Sequence, residues 1–479
     1  MLFDINRFHF FVLCTWQFAM FFASQMIYSI FSNYTPPKWK CGNGPETDNC
    51  EILLNCTETI TFPDSQFHSM RQEMLWLCGD GEQFARFFSS SIFFGVLIGT
   101  ISFGTLSDLI GRKPVAVGAM SLGIFANLIL GFMPPNPYIL IAIRFIIGIG
   151  IGGTLVVVCA FSMEMLLPQQ RMALRAFFNW GTARLIMTLI CMAFPDWRKG
   201  LIICSLFSVP AIFILIFIYP ESPTWLHSKG RLEDMRASEK HIAKIAGIEY
   251  VPVQHKKIER SKSFCELLHT RSLLKRLLVL WVMWFVASIC GYATDLYSNT
   301  ITGDLYVNQI LFSILIAVSK MVLVTIDTHF PNFNRRVLHQ SAQLMAIICF
   351  AVLSVMRIIQ YEGIGLLVIS LIGTVFIEYT WDACYLCAVE SMETSCRASA
   401  TGSCSLIARV GGILSPYVGL LTTYWSPAVY VTVVVLGTFN LIISYFFLVE
   451  TKGVILDNVH VDDDEVTYNE ETPMVEAEK

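Results

Sequence analysis

The sequence predicts an all-α membrane protein with twelve transmembrane helices in two six-helix halves. Three observations carry that reading. Of the 479 residues, 54% are hydrophobic and only 15% are charged, whereas roughly a quarter are charged in soluble domains. A chain so poor in polar groups cannot cover itself in water. Its apolar residues fall into runs of about 20, the length that crosses a bilayer core as a helix. One long charged segment, residues 220–276, separates six such runs from six more. The net charge of -4 decides little, because charge in membrane proteins acts by position rather than by sum.

The first half is expected over residues 1–219. Its first run, Phe8 to Phe31, is too long for the apolar core of a signal peptide and lacks a small-residue cleavage site, so it reads as the first span. A polar stretch, residues 33–86, follows. It holds Cys41, Cys50, Cys56 and Cys78, with glycosylation sequons at Asn33 and Asn55. Clustered cysteines with sequons point to an oxidising, glycosylating compartment and to disulfides whose connectivity stays open. Asn55 is the better acceptor, since Asn33 borders the first span. Other cysteines, such as Cys159, Cys191 and Cys349, lie inside apolar runs, where a thiol behaves as a small hydrophobe. No Cys/His group has metal-ligand spacing, so neither a metal nor a cofactor is expected.

The second and third spans, 88–106 and 115–132, are joined by Gly104-Thr105-Leu106-Ser107-Asp108-Leu109-Ile110-Gly111-Arg112-Lys113. Gly104 and Gly111 allow close approach and a tight reversal. Asp108 is expected at a helix N-terminus, within reach of Arg112. Arg112 and Lys113 mark a cytoplasmic edge, which puts residues 33–86 outside. The fourth span, 138–161, carries Arg144 near its external end, where it is free to snorkel. Gly148, Gly150, Gly152 and Gly153 follow, for close helix packing. Glu164 and Arg171 beyond it are spaced for an ion pair. The fifth span, 173–194, contains Arg184, and the sixth is expected over 200–219.

Residues 220–276 are basic and therefore cytoplasmic, with an amphipathic surface helix expected at Leu232–Ala246. The second half, 277–450, repeats the plan, with spans at 277–298, 308–326, 337–359, 364–386, 402–424 and 428–448. Asp327 and Asn334-Arg335-Arg336 echo Asp108 and Arg112-Lys113, weakly and without a glycine. Residues 451–479 form an acidic tail with too little apolar content to fold. Both termini fall on the cytoplasmic side.

The pattern Gly-x-x-x-Asp-x-x-Gly-Arg-Lys at Gly104–Lys113 resembles the signature loop of major facilitator superfamily transporters. Further stretches resemble the organic cation/anion/carnitine transporter family within it. These are the cysteine-bearing external loop, Pro220-Glu221-Ser222-Pro223-Thr224-Trp225-Leu226, Gly303-Asp304-Leu305-Tyr306-Val307-Asn308, Ala408–Tyr417 and Val449-Glu450-Thr451-Lys452-Gly453. Thr224, Val449 and Glu390-Ser391-Met392-Glu393-Thr394 depart from the family pattern, all where such carriers close an inner gate with ion pairs. The resemblance implies a major facilitator fold and a multi-pass carrier in the plasma membrane. It would move small organic ions by alternating access, with an anion or zwitterion such as carnitine favoured. Its partners would be substrate and lipid rather than nucleic acid, and the oligomeric state is open. Glu164, Arg171, Glu221, Glu390, Arg397 and Glu450 would belong to the gate. A ligand sensor of the same fold and a sugar-type facilitator are the alternatives. No nucleotide-binding loop and no catalytic constellation point to an enzyme.

A charge at the membrane centre costs at least ~2.5 kcal/mol, so each one needs a partner or a wet cavity. Arg409 is expected about two turns inside the eleventh span, at a position that faces substrate in the resembled family. Its planar fork suits a carboxylate; the competing reading is a structural pair with Asp382. Glu378 and Asp382, one helical turn apart, can hold a cation or a proton. Asp295 is expected to meet water. Trp180, Trp284, Tyr292, Phe376, Tyr379 and Trp381 would wall the cavity of such a fold.

Overall fold

The structure is a computed structural model and describes residues 6–166, 177–252, 268–269, 271–301, 303–329, 334–392 and 397–449. Twelve principal helices follow one another. They are α1 (Arg7–Ala23), α2 (Asp80–Ile110), α3 (Arg112–Leu130), α4 (Pro137–Gly153), α5 (Trp180–Ala193), α6 (Trp197–Phe217), α7 (Arg271–Tyr297), α8 (Leu305–His329), α9 (Arg335–Ile358), α10 (Gly365–Glu390), α11 (Arg397–Val418) and α12 (Ala428–Phe447). α1 continues through a 3-10 turn, Ser24–Ile27, to Ser32, and α4 through a π-helical turn, Thr154–Val158, to Glu164. Eleven of these elements are long and apolar enough to cross a membrane, and α5, with 14 residues, is shorter. The start of the predicted fifth span, at 173, lies outside the described residues, as do Arg171, Glu450 and the acidic tail. Large apolar side chains such as Leu109, Phe132, Phe217 and Phe446 point away from the bundle, as lipid-facing residues must.

Local chemistry sets the helix starts. Asn6, Asn136, Asn179 and Asp196 cap α1, α4, α5 and α6 by accepting hydrogen bonds from first-turn amides. The surface helix runs over Leu232–Ala246 as its periodicity predicts, and it ends at Gly247 in the left-handed conformation. The loop between α1 and α2 is pinned by disulfides Cys41–Cys56 and Cys50–Cys78. A two-residue antiparallel pair, Lys40–Cys41 with Ile60–Thr61, lies inside it.

The α2–α3 reversal is tighter than predicted. α2 runs on to Ile110 and α3 starts at Arg112, so Gly111 alone, at φ 119°, makes the turn. Asp108 therefore lies in the last turn of α2 and not at a helix N-terminus. Glu221 does that work instead: its carboxylate accepts from the Arg112 and Lys113 amides at 3.0 and 3.1 Å. Asp108 does pair with Arg112, at 2.8 Å, and Arg112 Nε also reaches Glu164 at 3.4 Å. The weak echo in the second half repeats the ion pairs of Arg112: Arg335 binds Asp327 at 2.5 Å and Glu390 at 3.1 Å. Arg397 donates to the Met392 carbonyl at 3.2 Å.

Packing repeats as well. In the first half α4 lies so close to α2 that a Cβ on Gly148 would come within 2.2 Å of the Ile92 carbonyl oxygen. Gly104 is less confined, with Val156 its nearest neighbour at 3.5 Å. Asn127 of α3 donates to Ser205 of α6, and Asn440 of α12 to Gln343 of α9, each at 3.0 Å. The halves are tied together on the face that carries the disulfide loop. There Asn299 donates to the Ile30 carbonyl at 3.0 Å, the Leu305 amide to Gln66 Oε1 at 2.6 Å, and Ser90 to the Ile413 carbonyl at 3.1 Å.

Candidate substrate cavity

A cavity of about 210 Å³ lies between the halves. At ~30 Å³ per water it holds about seven waters, a volume for a small solute. Met20 lines it from the regular part of α1, Met26 from the 3-10 turn that follows, and Leu155 from the π-helical turn of α4. Irregular turns of this kind commonly mark functional stretches of a helix. Trp180, Trp284, Tyr292 and Trp381 supply aromatic surface, and Asp295, Glu378 and Arg409 supply charge. The Trp284 and Trp381 rings meet edge to face, 5.7 Å between centroids, which fixes their orientation.

The charges are arranged in a definite way. Arg184 of α5 is fully buried and binds Asp295 of α7 at 2.6 Å, with Gln309 also at 2.6 Å. This ion pair crosses from one half to the other. Asp295 is 12% exposed; it does not meet bulk water as expected, because Arg184 takes its carboxylate. Lys320 of α8 binds Glu378 at 2.8 Å and Asp382 at 2.7 Å. The two α10 carboxylates thus already share a cation, and Asp382 does not pair with Arg409. Among the described residues no carboxylate lies within ion-pair distance of Arg409, and its buried Nε has no hydrogen-bond partner. α11 starts at Arg397, so Arg409 is 12 residues along it, about 18 Å at 1.5 Å each and deeper than two turns.

Not every predicted residue reaches the cavity. Glu378 and Trp381 lie three apart and face it. Phe376 and Tyr379 project elsewhere on α10: their rings meet at 6.3 Å, and the Tyr379 hydroxyl donates to the Ser319 carbonyl. Asp382 is turned to Lys320. Arg144 does not snorkel; it is fully buried, donates to the Gln25 carbonyl at 2.9 Å and lies 5.0 Å from the Phe88 ring centroid. Lys320 and Gln309 went unnoticed in the sequence. One lysine within an otherwise apolar run, 308–326, was the available signal for Lys320.

Two six-helix halves around a charged, aromatic-walled cavity define a membrane transporter of the major facilitator fold. The family described as Sugar (and other) transporter matches residues 66–462; the chain belongs to it, and so to the major facilitator superfamily. Among its relatives, Uncharacterized protein F23F12.3 of Caenorhabditis elegans is 34% identical over 477 residues, 94% of each chain. Solute carrier family 22 member 15 of Xenopus tropicalis is 28% identical over 76% of this chain and 69% of its own length. Solute carrier family 22 member 16 of Homo sapiens is 28% identical over 77% and 66%. Relatives in solute carrier family 22 bear out the predicted resemblance. Among solved structures, a D-xylose–proton symporter superposes with a TM-score of 0.65 over 93% of this chain and 99% of its own, at 15% identity. The xylose transporter XylE of E. coli, in a partially occluded inward open conformation, gives 0.64. At that identity the likeness speaks for the fold alone. The chain is a transporter and not an enzyme.

Proposed function

We propose that the protein carries small organic ions bearing a carboxylate, anions or zwitterions of carnitine type, by alternating access. Arg409 is the observation that carries this reading. It is the cavity cation with no carboxylate in reach among the described residues. Asp295 and Glu378, which would otherwise draw a cationic substrate, are already engaged by Arg184 and Lys320. A substrate carboxylate takes two hydrogen bonds from the Arg409 fork. An ammonium on the same molecule rests against the tryptophan and tyrosine rings. Binding that differs between the two access states then drives the exchange of states.

In this reading the disulfide loop is extracellular, both termini are cytoplasmic, and the membrane is the plasma membrane. Asn55, which is exposed, is the glycosylated residue; the Asn33 amide is turned inward to Ser89 at 2.7 Å. The test is uptake of labelled carnitine, succinate and tetraethylammonium by cells expressing the chain. The carboxylates are expected to enter and tetraethylammonium to lag. Arg409→Asp should lower carboxylate uptake about tenfold to a hundredfold, the worth of a charged hydrogen bond, at unchanged surface level. Preferential tetraethylammonium uptake, or matching losses of uptake and surface protein, would overturn the reading.

A further inference from the structure

A second cleft, of about 250 Å³, opens between the halves on the disulfide-loop face. It shares no lining residue with the cavity at Arg409. On α11 its wall starts at Ser415, six residues beyond Arg409 and about 9 Å nearer that face. Arg71 and Arg86 line it, and Glu82 is the carboxylate between them. Arg86 holds Glu82 at 3.0 Å, while Arg71 stands 4.0 Å from it. Two guanidiniums against one carboxylate leave one positive charge in a half-buried space, where screening by water is reduced. Beside them, the Ser29 hydroxyl and the Asn33 Oδ1 are buried without a hydrogen-bond partner. Ser29 itself is only 1% exposed. Polar atoms so placed are normally satisfied.

We infer that this cleft is a separate site for a small organic carboxylate, met on the loop face before the central cavity is reached. The inference rests on the carboxylate reading above. The ligand carboxylate accepts from Arg86 and from the Ser29 hydroxyl, and a donor elsewhere on the ligand satisfies Asn33 Oδ1. Glu82 works against anions and for cations, so Arg86 and Glu82 tune the cleft in opposite directions.

The test needs no transport. Thr423 lines the cleft and is exposed. A Thr423→Cys variant on intact cells is labelled with a membrane-impermeant maleimide, with the wild-type chain as control. External carnitine or succinate should slow labelling, and tetraethylammonium should not. Arg86→Gln should weaken protection about tenfold, and Glu82→Gln should strengthen it. Arg409→Asp should leave protection intact. Equal protection by tetraethylammonium, no labelling at all, unaltered protection in both Arg86→Gln and Glu82→Gln, or its loss in Arg409→Asp would each overturn the inference. Protection without uptake would support the cleft while refuting the central-cavity reading.

Discussion

Replacing Asp295 by asparagine isolates the buried ion pair that, among the described residues, spans both halves at the cavity. Arg184 is fully buried and Asp295 nearly so, with 2.6 Å between their charged atoms. Removing one member of a buried pair costs about 3–5 kcal/mol, because the remaining charge is left desolvated. In the variant Arg184 keeps Gln309 at 2.6 Å and Ser298 at 3.3 Å, which places the cost at the low end, about 3 kcal/mol. Arg184→Gln alone should cost a similar amount, by stranding Asp295. The double variant Arg184→Gln/Asp295→Asn puts two neutral, mutually bonding groups in the same space. It should recover about 2 kcal/mol relative to the sum of the single changes. The assay is thermal unfolding of the purified protein in detergent for all four chains. Each single variant should melt below wild type, and the double should lose clearly less than the two single losses added together. A double variant whose loss equals the sum of the two single losses would refute the reasoning, since nothing would then be coupled across the pair.

Two further outcomes follow from groups outside the cavity. Glu221→Gln should destabilise the α2–α3 turn by about 1–2 kcal/mol, since a charge-assisted cap on two amides becomes a neutral one; hydrogen exchange at the Arg112 and Lys113 amides reads the loss. Burial raises the Glu73 carboxyl, but hydrogen bonds from Arg198 and Trp197 outweigh it and hold the group below its ordinary 4.5. A depressed value means that the unfolded loop binds the proton more readily. The contribution of Glu73 is therefore complete above pH 4.5 and disappears as pH falls through the depressed value. Proteolysis of the loop between pH 6 and pH 3 should accelerate at the acid end, and Glu73→Gln should flatten that rise.

Much of the fold was legible because hydrophobic length is local. The spans, the basic central segment, the surface helix and the loop cysteines are all written in consecutive residues. What escaped depends on partners far apart in the chain or on the rotational setting of a helix. Lys320 looks like an intruder in an apolar run until Glu378 and Asp382, 58 and 62 residues on, are brought to it. Glu221 could not be read as the cap of α3, about 110 residues earlier. Phe376 and Tyr379 were assigned to the cavity with Glu378, yet neighbours on a helix are turned 100° from one another, and only packing decides which direction is inward. Asp327 and Asn334-Arg335-Arg336 looked like a faint echo of Asp108 and Arg112-Lys113 because the likeness is one of position in space, completed by Glu390 on Arg335 as Glu164 completes Arg112.

The disulfide loop grips both sides of the seam at which the halves meet. Glu73 holds Arg198 at 2.6 Å at the start of α6, and Gln66 takes the Leu305 amide and the Tyr306 hydroxyl at the start of α8. Any widening of that seam has to strip Gln66 from α8 or drag the loop along with it. A nanobody that clasps the loop and stiffens it would thus act as a brake on turnover without ever touching the solute's path.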